Sequence, residues 1–468
     1  MWFAVAGATA LAFVLGLVRL SGLPLFIDEG ASWSVASQDS LGDFWSLLLD
    51  QEVVPPPFYI GLRVLVEGIG ADGRAAMRLP VLLLTLPAVP LTAVLARQLG
   101  SGRIGVATAA WLMALSPLVL MFGQQVRAYG PALTLTVLAA VLFYWAQDRG
   151  WSRRAATIAA AAFVAAPWVH YVAFLPLGVF LLLNAGRLVR PARWWFLAPT
   201  AVGWAGAVAF GAVQYGRVGA GMDASTRLGG VDLQRVLATG WDGRFVFESW
   251  LAWAALPALF VAVAGIVLGD RRLKVVAAAG LAGPAAIVVI SALGPDIVST
   301  RYLVCAVPFL IAAVAAVADR FRAAVPVAAL LLIVGAVGTK RTLDPATGSY
   351  PNAEAVLKGV VPDLRPGDVV ASDDITMANW LPTYIAERNG VANVRTAWGS
   401  EQTGRAACAR RPIRQIVPGN IDRESAVTAW QQIGYRASVK NLPSPGWLLV
   451  SADPVGERPP VCDTLVGP

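Results

Sequence analysis

Charge is scarce in this 468-residue chain: Lys, Arg, Asp and Glu make up 14% of it against 57% hydrophobic residues. Soluble domains carry roughly a quarter charged residues, so the deficit excludes a soluble enzyme and the templates that go with one. Histidine occurs once, as His170, near the end of an apolar segment and beside aromatic residues. That setting suits a packed, hydrogen-bonded ring as well as a ligand contact. There are three cysteines. Cys305 lies within an apolar stretch and reads as a small packed side chain, whereas Cys408 and Cys462 share the polar tail and are available to pair in an oxidising compartment. Internal repeats are missing, which argues against the two related halves common in transporters. The amino terminus has no basic stretch ahead of its apolar run and no convincing cleavage site, so the run reads as a retained span and not as a signal peptide.

What the chain has in abundance is long apolar runs. A bilayer crossing needs about 20 mostly apolar residues, and candidate runs cover approximately 2–20, 77–96, 104–122, 129–147, 155–169, 171–186, 194–213, 249–268, 275–293, 302–318 and 323–338. These predict a polytopic α-helical membrane protein of about 11 transmembrane helices. Alternate connections are short and basic: Arg97 and Arg103; Arg149, Arg153 and Arg154; Arg187, Arg190 and Arg193; Arg271, Arg272 and Lys274; Arg320 and Arg322. The net charge of +8 is carried by this part, since residues from 342 onward hold 12 basic against 13 acidic and leave 25 against 16 before them. Basic connections are retained in the cytoplasm. The expected topology therefore has a cytoplasmic amino terminus and an extracytoplasmic carboxyl terminus, with no sign of nucleic acid binding.

Residues 21–76 then form an external loop with amphipathic pieces at 41–49 and 58–66, anchored at the interface by Trp33, Trp45 and Tyr59. A second external loop, 214–248, is rich in glycine and polar residues and reads as mobile. Residues 1–340 make up the membrane domain. Beyond them, 341–468, β-like runs at 368–371, 415–418 and 447–451 alternate with helix-like runs at 353–361, 376–388 and 425–433, the pattern of a small extracytoplasmic α/β domain.

The polar residues that stand out collect on the external side. Asp28 and Glu29 are adjacent carboxylates at the mouth of the first span, where anions are costly to desolvate and repel one another; they also suit plain solvated charges ending a helix. Glu52 precedes Pro55-Pro56-Pro57-Phe58-Tyr59, which suits a rigid connector or a shaped wall. Arg63 and Arg78 follow, then Gln124-Gln125-Val126-Arg127-Ala128-Tyr129, then His170-Tyr171, and Arg301-Tyr302. Arg127 and Arg301 also suit side chains that reach to lipid head groups.

In order, these residues resemble the amino-terminal half of bacterial GT-C superfamily glycosyltransferases. The run comprises an apolar span, Asp28-Glu29, an amphipathic loop, Pro56-Pro57-Phe58-Tyr59, Arg78-Leu79-Pro80, Ser116-Pro117 and Gln125-Val126-Arg127-Ala128-Tyr129. It is most similar to the group of protein O-mannosyltransferases and the lipid A aminoarabinose transferase, in detail over about residues 20–150 and more weakly through His170 and Arg301. Val54 departs from that transferase's pattern, where a basic residue commonly precedes the prolines. The resemblance implies a membrane-embedded polyprenyl-phosphate sugar donor, a lipid, glycan or protein acceptor bearing a hydroxyl, and Asp28 as catalytic base with Glu29 in support.

The chemistry of the residue types agrees with that role. Sugar transfer from a phosphate to a hydroxyl needs a carboxylate to accept the hydroxyl proton and cations to stabilise the departing phosphate. For Asp28 to stay ionised beside Glu29, Arg63 or Arg78 is expected to offset the repulsion. Gln125, Arg127, Tyr129, His170 and Arg301 complete the expected donor and phosphate site. One base opposite the leaving group predicts inversion, and a phosphate leaves without the second acid that glycoside hydrolysis requires. The external acids have no recognisable metal-ligand spacing. Arginines can do the phosphate work alone, with a divalent metal as the alternative. The competing readings are a carrier or flippase for lipid-linked sugars and a non-catalytic envelope scaffold.

Overall fold

The computed structural model describes residues 1–18, 20, 27–38, 40–52, 54–69, 74–188, 193–222, 256–293, 302–343, 356, 359–372, 391, 394–398, 403, 406–418, 422–442 and 447–455. The chain divides into two compact units.

The first unit is helical. Its elements are α1 (Trp2–Leu17), the end of α2 (Ile27–Ala36), α3 (Leu41–Gln51), α4 (Pro57–Ile69), α5 (Arg74–Thr85), α6 (Ala88–Gln98), α7 (Arg103–Ala114) and α8 (Pro117–Gly123). Then come α9 (Tyr129–Asp148), α10 (Arg153–Val169), α11 (Phe174–Leu188), α12 (Trp194–Met222), α13 (Leu256–Leu268), α14 (Arg271–Leu293), α15 (Val307–Arg320) and α16 (Val325–Leu343). Among the described residues four helices are long and apolar enough to cross a membrane: 75–98, 129–148, 171–188 and 194–217. The pair α7 and α8 makes a fifth if counted as one span, bent by 51°. Helices at 2–17, 257–268 and 325–340 are apolar but shorter. The run expected as one span at 104–122 is thus broken, because Pro117 pushes Ser116 into an extended conformation (φ −75°, ψ 117°). The expected span 194–213 continues as helix to Met222, into what reads in sequence as loop; residues 223–255 lie outside the described residues.

The core of this unit is rich in alanine and packs an aromatic cluster of Phe143, Phe163, Phe180 and Phe196. Small residues let membrane helices approach closely. At Gly130, at the start of α9, a Cβ would lie 2.1 Å from the Thr85 hydroxyl oxygen of α5.

Contacts between the five basic connections gather them at one end of the bundle. The Asp319 carboxylate accepts from the Gly102 and Gly105 amides at 2.6 and 3.0 Å. Arg272 pairs with Asp148, and Arg320 pairs with Asp270 at 2.9 Å. The Arg153 guanidinium lies 3.9 Å from the Trp195 ring centroid, and that of Arg193 lies 5.5 Å from Trp151. Burial pushes the Asp270 carboxyl up, but hydrogen bonds from the Leu273 amide and Arg320 outweigh it and hold the group below its ordinary 3.8.

The second unit holds the carboxyl-terminal residues together with the first turns of α2, through Ser34. Its five-stranded sheet runs β2-β1-β3-β5-β4, with β1 (Val369–Ser372), β2 (Arg395–Trp398), β3 (Ile413–Pro418), β4 (Tyr435–Asn441) and β5 (Trp447–Pro454). β1 is parallel to β2 and β3, and β5 is antiparallel to β3 and β4. One apolar cluster includes Val370, Ile416 and Leu449, with Trp33 of α2 packed against it. The other includes Ala371, Val417 and Val450 beside Trp430 of α17 (Arg423–Gln432). Buried Arg414 pairs with Asp368 and Asp453 at 3.1 and 3.0 Å. The strands expected at 368–371, 415–418 and 447–451 and the helix at 425–433 are present within a residue or two, or lengthened. β2 and β4 are additions, and the helix expected at 376–388 lies outside the described residues. Cys408 is disulfide-bonded, while Cys462, its expected partner, lies outside the described residues. Cys305 is a free, buried thiol.

Candidate active site

α9 ends and α10 begins at the basic end, so Tyr129 and His170, at their other termini, sit at the opposite end of the bundle. There the centre is an ion pair. Arg127 Nη1 donates to Glu52 Oε1 at 3.0 Å and to the Tyr59 hydroxyl at 3.2 Å. Both ions are buried, Arg127 at 9% and Glu52 at 6% exposure. A buried pair is expensive to desolvate and is kept only where its geometry is held.

Local sequence supplies that geometry. Ser40 caps α3, accepting from the Asp43 amide at 3.0 Å. Glu52 closes α3 in an extended conformation (φ −113°, ψ 130°), because the prolines at 55 and 56 cannot continue a helix. Pro57 then opens α4, a position where its missing N–H costs nothing. Glu52 and Tyr59 therefore face one guanidinium from either side of a proline turn. Arg127 itself lies in the tight connection between α8 and α9, where its amide donates to the Gln125 carbonyl at 2.8 Å.

Around the pair, Tyr129 is packed between Phe122 and His170, with ring centroids at 5.0 and 4.4 Å. His170 Nδ1 accepts from the Val172 amide at 3.3 Å, capping the short turn before α11. Arg78 is buried and donates to the Leu20 carbonyl at 2.8 Å. Gln124 Nε2 donates to the Gly16 and Val18 carbonyls at 3.0 and 2.9 Å. Gln124 thereby closes the end of the first helix, where carbonyls lack intrahelical partners, and Arg78 holds the chain just beyond it. Arg63 pairs with Glu67, donates to the Gln38 carbonyl at 2.8 Å and lies over the Phe44 ring.

Of the residues expected from sequence, the structure brings Arg127, Tyr129 and His170 together, with half-buried Gln125 in the same connection and Arg78 on the adjoining helix. Asp28 lies in the first turn of α2, its side chain outside the described residues, and Glu29 beside it is 1% exposed. Arg301 lies outside the described residues. Among the described residues no group of three or more His, Cys, Asp or Glu is placed to hold a metal ion.

Sequence reasoning did not single out Tyr59 as a partner of Arg127, and it passed over Gln214 altogether. Gln214 Nε2 donates to the Leu49 and Glu52 carbonyls, both at 3.1 Å. The available signal was a lone amide inside a long apolar helix.

No protein-family model matches the sequence, and no curated protein matches it. Solved structures do. ArnT from Cupriavidus metallidurans in the apo state superposes with a TM-score of 0.61 at 13% identity, over 100% of this chain and 98% of that one. In its form bound to undecaprenyl phosphate the values are 0.57 and 14%, with the same coverage. Mycobacterial arabinofuranosyltransferase AftD gives 0.53 at 15%, over 97% of this chain and 40% of AftD. Archaeal oligosaccharyltransferase AglB from Archaeoglobus fulgidus, in complex with an inhibitory peptide and a dolichol-phosphate, gives 0.51 at 9%. The chain shares its fold with these solved structures.

Proposed function

We propose that the protein transfers a sugar from a polyprenyl-phosphate donor to an acceptor hydroxyl at the extracytoplasmic face of the membrane. The observation that carries the reading is likeness over the whole chain to a protein solved with undecaprenyl phosphate, in a bundle whose non-basic end holds a buried arginine.

In the proposed step the acceptor O–H gives its proton to the Asp28 carboxylate while the oxygen bonds to the anomeric carbon. The bond from that carbon to the phosphate oxygen breaks, and the electron pair leaves with the polyprenyl phosphate. Arg127 and Arg301 meet the added negative charge, and attack opposite the leaving group inverts the anomeric centre. Glu29 supports the acceptor side. Gathering of the basic connections supports a cytoplasmic amino terminus and an extracytoplasmic α/β unit by the positive-inside rule.

The test is transfer of labelled sugar from a polyprenyl-phosphate sugar by the detergent-solubilised protein, offered a cell-envelope acceptor fraction. An enzyme turns over without a sealed membrane. A carrier or flippase yields no product there, and that result would reject the proposal.

A further inference from the structure

We propose that Gln214 is a positioning residue that holds the Glu52–Arg127 pair ready for a lipid phosphate, an inference that rests on the phosphate role given to Arg127 above. α12 carries few buried side chains along its length, and Gln214 is an exception at 1% exposure. Its amide nitrogen reaches two carbonyls at the end of α3. In a continuing helix the Glu52 carbonyl would be answered by the amide of residue 56, but residue 56 is proline and has no N–H. Gln214 supplies the donor that Pro56 lacks.

The consequence reaches the guanidinium. Gln214 pins the Glu52 backbone, the Glu52 carboxylate holds Arg127 Nη1, and the Tyr59 hydroxyl of the same proline turn meets that nitrogen from α4. An apolar side chain at 214 would leave two carbonyls without this donor in a largely apolar setting. The turn would then shift to find water or other donors, and Arg127 would lose its fixed direction. Fixed direction is what makes a guanidinium selective for a phosphate over bulk counter-ions.

The experiment measures binding of undecaprenyl phosphate to the full-length protein in detergent, together with amide hydrogen exchange over residues 47–60. Gln214→Leu is expected to speed exchange in that segment and to weaken binding roughly tenfold, the scale of one or two lost hydrogen bonds. In an Arg127→Ala background the same substitution should weaken binding no further. Gln214→Met, which keeps an unbranched side chain, repeats the measurement if Gln214→Leu does not accumulate. Unchanged exchange over 47–60, or an equal loss of binding in both backgrounds, overturns the inference. If Arg127→Ala alone weakens binding while Gln214→Leu does not, only the role of Gln214 fails. If Arg127→Ala binds undecaprenyl phosphate as tightly as wild type, the phosphate assignment fails first and takes this inference with it.

Discussion

Arg127 and Glu52, 75 residues apart in sequence, form a buried ion pair at 3.0 Å. Buried pairs are weak contributors to stability as pairs, yet removing one partner strands the other charge. Arg127→Ala and Glu52→Ala should each cost about 3–5 kcal/mol, and the double variant should cost clearly less than their sum. Chemical unfolding in detergent measures this. Additive losses would mean that the two side chains are not coupled.

Arg127→Lys keeps the charge but loses the planar fork. The variant should bind undecaprenyl phosphate better than Arg127→Ala and less well than wild type, with Glu52 still paired. Binding equal to wild type would reduce Arg127 to a point charge.

The pairing of Asp270 with Arg320 predicts a pH dependence. A carboxyl held below 3.8 when folded contributes stability that is present above 3.8 and is lost as pH falls through the folded value. The difference in thermal stability between wild type and Asp270→Asn should therefore be greatest above pH 3.8 and shrink below it. A difference that grows on acidification would contradict the direction.

Orientation is tested with single cysteines. Arg154→Cys, in a basic connection, should resist a membrane-impermeant thiol reagent applied to intact cells, and Ser438→Cys on β4 should react. The reverse pattern would overturn the proposed topology.

Much of this was legible in sequence because it rests on local physics. Apolar runs and basic connections are readable from composition and spacing, as are the strands expected at 368–371 and 415–418, whereas the run 104–122 reads as one span because hydropathy carries straight through the Ser116-Pro117 break. The pairing of Glu52 with Arg127 was not, since nothing in either segment specifies a partner 75 residues away. Tyr59 reads equally as an interface anchor, and its hydroxyl acquires a role only once the proline turn aims it. The placement of the first turns of α2 with the α/β unit likewise depends on Trp33 packing against Val370, Ile416 and Leu449, a contact between the two ends of the chain. β2 and β4 lack the consecutive aliphatic residues found in β3 (Ile416-Val417) and β5 (Leu448–Val450), so hydropathy alone passed them over.

The most direct test of the central claim is the rate of sugar transfer from a polyprenyl-phosphate sugar by purified wild type, Asp28→Asn and Glu29→Gln. Asp28→Asn keeps the size of the side chain but cannot accept a proton. Wild type is expected to turn over, Asp28→Asn to fall by about 10²–10⁴-fold with donor affinity little changed, and Glu29→Gln to lose less. Near-normal transfer by Asp28→Asn would contradict the role of Asp28 as base.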